Sequence, residues 1–339
     1  MPTNEIRTDL LTGRRVIIAE GRRARPVQNR ASRTEVSSSD DPFLEGCEAE
    51  TPDERLALRS EDTAANQPGW LVRVVPNRYP AVQPLSAEQN RQLTGIHNVV
   101  LECPDFRTRL LDLDVIEIAR VMRAWQLRIR GIELETSGRT GDLYLFRNEG
   151  REAGASLAHC HSQILWLPTG DQRDHRTTEQ QLEQWLSKEL KEERRLVARH
   201  EDLAVICPFA SRVSWHTRII PTCTLPFCEL SASNLITIAS LTKQLVRTIE
   251  QLIGSFPHNV TLNQATGQWY LDLMPRTGGI AGLELMSDLD LVTVAPETAC
   301  QQLQMHQSAA EIPTEDALEP SGYRWRIAPN LNLQVKCPR

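Results

Sequence analysis

The chain has 339 residues, 38 basic and 44 acidic side chains, a formal net charge of −6 and 40% hydrophobic content. That is enough apolar material for one large domain or two, and the negative balance excludes a nucleic-acid polymer as the main partner while leaving nucleotides open. No apolar run approaches the roughly eighteen residues of a membrane span, the N-terminus has no signal-type apolar stretch, and the eight cysteines form neither a Cys-x-x-Cys pair nor a disulfide-framework spacing, so a soluble, cytoplasmic protein is expected.

In chain order, Thr12-Gly13 predicts a turn into a short strand through Val16-Ile17-Ile18. A basic run follows, Gly21-Arg22-Arg23-Ala24-Arg25-Pro26, which read alone is equally a solvated surface. Residues 37–51 are polar and acidic and predict an exposed loop. Trp70 to Pro76 predicts a strand ending in the turn Asn77-Arg78-Tyr79-Pro80. Ser86-Ala-Glu-Gln89 has the capping-box pattern of a short helix. Ile96 to Glu102 predicts a strand. Leu111, Val115, Ile118, Met122, Trp125, Ile129 and Ile132 step by three and four, the apolar stripe of a helix packed on a sheet. Asp142 to Phe146 is the next strand.

Polar residues 169–178 suggest a hinge, and Leu182 to Arg199 a charged surface helix. Strands are then predicted at Leu203–Pro208 and Trp215–Pro221, a long helix near Leu230–Ile253, and strands at Asn259–Asn263 and Trp269–Pro275. Leu273-Met-Pro275 parallels Trp166-Leu-Pro168, a weak internal repeat suggesting a duplicated α+β fold. The last thirty residues carry little signal.

The chemistry concentrates in Asn148 to Pro168. Gly150, Gly154, Ala155 and Ser156 form a small-residue loop that lets backbone N–H groups approach an anion. From His159 the pattern alternates, which predicts that His159, His161 and Gln163 share one strand face while Ile164 and Trp166 take the other. Such a His-x-His pair suits a metal, a structural role, or covalent catalysis in which a neutral imidazole attacks phosphorus. Gln163 can donate a hydrogen bond to a phosphate oxygen but cannot deliver a proton, which favours transfer to a second phosphate over hydrolysis.

The stretch resembles the active-site segment of galactose-1-phosphate uridylyltransferases, a branch of the histidine-triad superfamily with the signature Asn, Gly-rich loop, His-Pro-His-x-Gln. The resemblance implies two fused histidine-triad-like halves (1–175 and 176–339), each an antiparallel sheet with packed helices. It implies a ping-pong transfer of UMP from UDP-glucose to a hexose 1-phosphate, with His161 as nucleophile and His159 and Gln163 beside it. It makes Arg22 and Arg25 phosphate contacts, and Asn77, Asn148, Gly154, Ser156 and Glu284 substrate contacts, with Glu284 reaching toward a neighbouring subunit of a homodimer. The partners implied are a nucleotide sugar and a sugar 1-phosphate. Adenylyltransferase or phosphorylase relatives using an adenine nucleotide are the nearest alternative, and an idle nucleotide-binding protein is another.

This chain departs from the pattern in several places. Cys160 replaces the motif proline, losing its fixed φ. Asp41 and Leu44 stand where the family usually has two zinc-binding cysteines, and Phe106 where many relatives have a histidine ligand. The positions matched to a second metal site read Asn263, Tyr270 and Asp272. A chain without bound metal or other cofactor is therefore expected, unless Cys47 and Cys103 rebuild a site.

Overall fold

The computed structural model describes residues 4–24, 41–85, 93–168, 179–265, 268–287, 289–306 and 313–328. The expected helix at Ser86–Gln89, the hinge at 169–178 and the boundary between 175 and 176 lie outside these residues. The strands are β1 (Glu5–Thr8), β2 (Arg15–Ile18), β3 (Leu56–Ser60), β4 (Trp70–Pro76), β5 (Gln83–Pro84), β6 (Thr94–Leu101), β7 (Gly141–Glu149) and β8 (His161–Pro168). They continue with β9 (Leu196–His200), β10 (Leu203–Ile206), β11 (Thr217–Pro221), β12 (His258–Ala265), β13 (Gln268–Pro275), β14 (Leu289–Val292) and β15 (Tyr323–Ile327). The helices are α1 (Val115–Glu135), α2 (Glu179–Glu192), α3 (Ala232–Ile253), α4 (Gly282–Ser287) and α5 (Pro296–Met305).

The fold is α+β. Two runs of the chain follow one plan: β3, β4, β6, α1, β7, β8, then β9, β10, β11, α3, β12, β13. In the sheet the neighbours are β3-β4-β6-β8-β7 and β9-β10-β11-β13-β12. The runs meet at an antiparallel β7–β12 seam with Asn148 opposite Asn259, so the two expected sheets are one continuous sheet. A small second sheet, β1-β2-β14, joins the start of the chain to its late part through the parallel pair β2–β14. The last residues described are not idle, since β15 pairs with β3 and extends the edge.

α1 and α3 pack on one another, and their apolar faces join the sheet in the main core. Each opens with a reciprocal cap. Asp114 accepts from Glu117 N (2.7 Å) while Glu117 accepts from Asp114 N (2.7 Å), and Ser231 pairs with Asn234 in the same way. The charged helix is shorter than its composition suggests. It ends at Glu192, Glu193 takes a positive φ of 50°, and Leu196 to His200 form a strand on β10. Strand pairing and burial of Val197 override the helix-forming tendency of this stretch.

In the second run a buried charge cluster closes the sheet face. Arg218 on β11 grips Asp272 on β13 with two hydrogen bonds (2.6 and 2.9 Å), its guanidinium lies 3.8 Å from the centre of the Tyr270 ring, and His216 adds a 3.2 Å contact to Asp272. Burial pushes the Asp272 carboxyl up, but Arg218 and His216 pull it well below the ordinary carboxylate range. Removing one member of such a pair costs about 3–5 kcal/mol because its partner is left charged and buried. Arg218→Met is therefore expected to lower the urea midpoint sharply, while the double variant Arg218→Met, Asp272→Leu recovers most of the loss. Equal losses in both variants would mean the ion pair does not hold the face together.

Candidate active site

Strand β8 lies between β6 and β7, and its pleat presents His161 and Gln163 to one side and Ser162, Ile164 and Trp166 to the helices. Trp125 of α1 fixes the hidden side by donating to Ser162 Oγ (2.9 Å). His159 departs from expectation. The strand begins only at His161, so His159 sits in the preceding bend and is not aligned with the other two by the pleat.

His159 is buried, and both its ring nitrogens face oxygen acceptors: Asp41 Oδ2 at 2.6 Å from Nδ1, and the Cys103 carbonyl at 2.9 Å from Nε2. Phe43 and Phe106 meet the ring edge-on, with centroids 6.1 and 6.2 Å away. The backbone carbonyl of His159 then accepts from His161 Nδ1 (2.7 Å). That bond places the His161 proton on Nδ1 and leaves the Nε2 lone pair unprotonated. Nε2 has no hydrogen-bond partner among the described residues. Burial pushes the His161 pKa down, partly opposed by the bond to the His159 carbonyl, so the neutral ring is favoured.

Cys160 turns the loss of proline into extra bonding. Its N–H donates to Arg107 O (2.7 Å), which a proline could not do, and its Sγ accepts from Arg147 (3.3 Å). The loop before the motif is wound on itself. Ala153 N and Ala155 N donate to Gly150 O, and Gly154 N donates to Arg151 O, so these three amides are occupied and do not form the expected anion cradle. Gly150 (φ 86°) and Gly154 (φ 91°) both take a backbone that side chains resist, and a Cβ at Gly150 would lie 2.8 Å from Pro257. Ser156 is exposed at the end of this loop.

Two residues not singled out from the sequence organise the site. Asn259, across the seam, donates to Asn148 Oδ1 (2.8 Å) and to Ala153 O (2.7 Å), tying Asn148 and the loop to the second run. Asn148 Nδ2 in turn reaches Gly154 O at 3.5 Å. His97 on β6 accepts from Ala81 N at Nδ1 (3.0 Å) and meets Gln163 Oε1 at Nε2 (2.8 Å). Asn77 lies against the same ring, with Nδ2 3.3 Å from Nε2 and its own Oδ1 held by Tyr79 N (2.9 Å). The period-two spacing of His97, Val99 and Leu101 was the available signal for His97. Asn259 had none, because its role depends on pairing between distant strands.

The side-chain bonds fall into three sets: His159 with His161, Gln163 with His97 and Asn77, and Asn148 with Gly154 and Asn259. Arg22 stands apart, exposed on a short helical turn whose Glu20 is anchored to Ala295 N and Thr298. Arg25 lies outside the described residues. Glu284 caps α4, accepting from Ala281 N (3.0 Å) beside exposed Ile280, Leu285 and Met286.

Residues 2–169 match the family model for galactose-1-phosphate uridyl transferase, N-terminal domain. The chain belongs to the galactose-1-phosphate uridylyltransferase family. It is an enzyme of the nucleotidyltransferase group within the histidine-triad superfamily. An ADP-glucose phosphorylase of Arabidopsis thaliana is 26% identical over 323 residues, covering 86% of this chain and 90% of that protein. A galactose-1-phosphate uridylyltransferase of Thermotoga maritima is 29% identical over 164 residues, 48% of this chain and 46% of that protein. The fold is shared with the solved structure of an ADP-glucose phosphorylase from Arabidopsis thaliana with bound ADP-glucose, at 24% identity, a TM-score of 0.73 and coverage of 89% of this chain and 99% of that one. Among the described residues no helix is long and apolar enough to cross a membrane.

The residues at the family's zinc positions do not fit that metal. A structural zinc needs about four N or S donors converging on one point. Here Asp41 and His159 bond to each other, the other His159 nitrogen faces a carbonyl, and Leu44 and Phe106 have no lone pair. The Cys103 thiol donates to Asp105 O (3.3 Å) and lies 3.6 Å from His159 Nε2, but no third His, Cys, Asp or Glu joins them in a metal-sized group among the described residues. At the positions matched to the second metal, the Arg218 guanidinium already supplies the positive charge for Asp272.

Proposed function

We propose that the protein transfers a nucleoside monophosphate from a nucleoside diphosphate sugar to a phosphate-bearing acceptor through a covalent intermediate on His161. The observation that carries this reading is the 2.7 Å bond from His161 Nδ1 to the His159 carbonyl, which leaves Nε2 as the nucleophilic nitrogen of a neutral ring. In the first half-reaction Nε2 attacks the α-phosphorus, the bond to the bridging oxygen breaks, and sugar 1-phosphate leaves. That leaving group is already a stable phosphate anion and needs no proton, consistent with Gln163 where a proton donor would otherwise stand. In the second half-reaction an acceptor phosphate oxygen attacks phosphorus and the P–N bond breaks.

The two donor readings share the first half-reaction. The likeness to an ADP-glucose phosphorylase along 86% of the chain favours ADP-glucose as donor and inorganic phosphate as acceptor. The match of residues 2–169 to the uridyl transferase domain favours UDP-glucose and a hexose 1-phosphate. Incubating the protein with each donor and no acceptor is expected to add one AMP or one UMP, acid-labile and base-stable, on His161 by intact mass and peptide mapping. Adding phosphate or hexose 1-phosphate should then discharge it, and His161→Asn should abolish it. A normal adduct on His161→Asn would move the nucleophile elsewhere and sink the mechanism.

We also propose that the chain folds without zinc. The Asp41–His159 bond and the edge contacts of Phe43 and Phe106 take over the cross-link between the loop at 41–47 and the catalytic bend. Untagged protein should carry far less than one zinc per chain by elemental analysis, and a strong chelator should leave its melting temperature unchanged. A stoichiometric metal with a large chelator-induced drop would contradict this.

The assembly proposed is a cytoplasmic homodimer. Ile280 (63% exposed), Leu285 (77%) and Met286 (89%) leave an apolar strip beside Glu284 that a second copy would cover. Light scattering should give twice the chain mass, and Leu285→Glu with Met286→Glu should shift it toward the monomer. A monomeric wild type at micromolar concentration would count against the dimer.

A further inference from the structure

We propose that His97 is a positioning residue that turns Gln163 into an obligate hydrogen-bond donor toward the transferred phosphoryl group. This deepens the proposed function, resting on Gln163 touching that group.

An amide side chain is ambidextrous. Its nitrogen end stabilises negative charge and its oxygen end repels it, and nothing within glutamine itself selects between them. The selection can be traced bond by bond. The backbone N–H of Ala81 points at His97 Nδ1 from 3.0 Å. A backbone N–H can only donate, so Nδ1 must hold a lone pair and the ring proton sits on Nε2. That N–H meets Gln163 Oε1 at 2.8 Å. The glutamine oxygen is thereby occupied, and its NH₂, which has no partner among the described residues, is the end left for substrate. Flipping the amide would set two donors face to face.

Asn77 does not compete with Gln163 for the His97 proton. Asn77 Oδ1 is held by Tyr79 N, so the end of Asn77 nearest His97 is its NH₂, 3.3 Å from Nε2. That contact is donor against donor, it bonds nothing, and it leaves Gln163 as the acceptor of the His97 proton. Backbone geometry places the pair, since Val99 lies opposite Gln163 and His97 opposite Leu165, making His97 a diagonal neighbour on the same face. Asn77 N also donates to His97 O (2.8 Å), tying the turn after β4 to the strand that carries His97. Burial pushes the His97 pKa down, against the bond to Gln163, so the ring stays in the neutral form this relay needs.

The consequence is catalytic. As His161 attacks, negative charge builds on the non-bridging oxygens, and a preoriented donor stabilises that charge without first having to turn. Losing one such charge-assisted bond is expected to slow adduct formation about 10- to 100-fold.

The test uses full-length protein and single-turnover formation of the nucleotidyl adduct from ADP-glucose and UDP-glucose. His97→Leu and Gln163→Leu should each slow the step by about 10- to 100-fold with donor affinity changed only a few-fold. The double variant should be no slower than Gln163→Leu alone, because His97 acts through Gln163. His97→Gln, which can again offer an N–H near the Nε2 position, should recover most of the rate. Losses that multiply in the double variant would assign His97 a separate structural role and overturn the proposal. Nitrogen-15 NMR of the wild-type protein gives a readout that needs no variant and no turnover: His97 should show a protonated Nε2 and a bare Nδ1, and the opposite tautomer would also overturn it. If the wild type forms no adduct at all, the proposed transfer fails, while the tautomer measurement still decides how Gln163 is held.

Discussion

A single buried guanidinium, that of Arg147, underlies the arrangement of the catalytic bend. From β7, on the helix side of the sheet, it donates to Glu102 (2.9 Å), to Glu149 (2.8 Å) and to Cys160 Sγ (3.3 Å). Glu149 also receives Leu110 N (2.6 Å), which brings in the turn before α1. A charge this deep is tolerable only when its hydrogen bonds are met, so the end of β6, the strand β7, the entry to α1 and the bend at Cys160 are held in one arrangement. Across the seam His258 lies opposite Glu149. Burial pushes its pKa down to about 4, so it adds no further positive charge to the cluster at neutral pH. The bend in turn sets the His159 carbonyl against His161. The tautomer of the proposed nucleophile therefore depends on an ion-pair cluster on the helix side of the sheet.

On the open side of the sheet the same logic works with neutral groups. Gln163 has its amide oxygen engaged by His97, and Asn148 has its oxygen engaged by Asn259 and its NH₂ 3.5 Å from Gly154 O. Side chains that could present either a donor or an acceptor are thus given one orientation before a ligand arrives, the preorganisation that electrostatic catalysis requires. The contributions come from both runs of the fold. Asn259 reaches over the β7–β12 seam, which makes the junction of the halves part of the site and not merely a structural joint. In the wound loop at 150–155 the N–H groups of Ala153, Gly154 and Ala155 are already bonded to carbonyls of the same loop, so the proposed recognition of phosphate rests on side chains more than on these backbone groups.

Sequence patterning revealed the parts that repeat locally. The stripe from Leu111 to Ile132 gave α1, and the alternation after His161 gave β8 with Ile164 and Trp166 in the core. The motif itself singles out His161 and Gln163 as candidates. What it could not reveal depended on pairings between segments far apart. The Asp41–His159 bond spans 118 positions and the Asn259–Asn148 bond 111, and neither has a local signature. Likewise the charged run after Leu182 reads as one helix because nothing local announces that β10 is waiting to pair with Leu196–His200. His159 was misplaced onto the strand for a related reason. Alternation predicts faces only where a partner strand exists, and the pairing of β8 begins at His161.

The duplicated plan sets the proposed site beside a counterpart strand with different side chains. β8 and β13 are both eight residues long and end in proline, so matching them position by position sets His161 against Gln268, Gln163 against Tyr270 and Leu165 against Asp272. Tyr270 and Asp272 are packed with the guanidinium of Arg218, and Trp185 lies on the same cation at 5.2 Å. On that face Arg218 and Asp272 pair with each other, while Arg218 Nη1 and Gln268 Oε1 are buried with no hydrogen-bond partner among the described residues. The matching face in the first run carries polar groups whose outward ends, His161 Nε2 and the Gln163 amide nitrogen, lack protein partners among the described residues. Unmet polar groups lower the stability of the fold unless a ligand or water meets them. Under the proposed transfer, the phosphoryl group is the ligand that meets those outward ends.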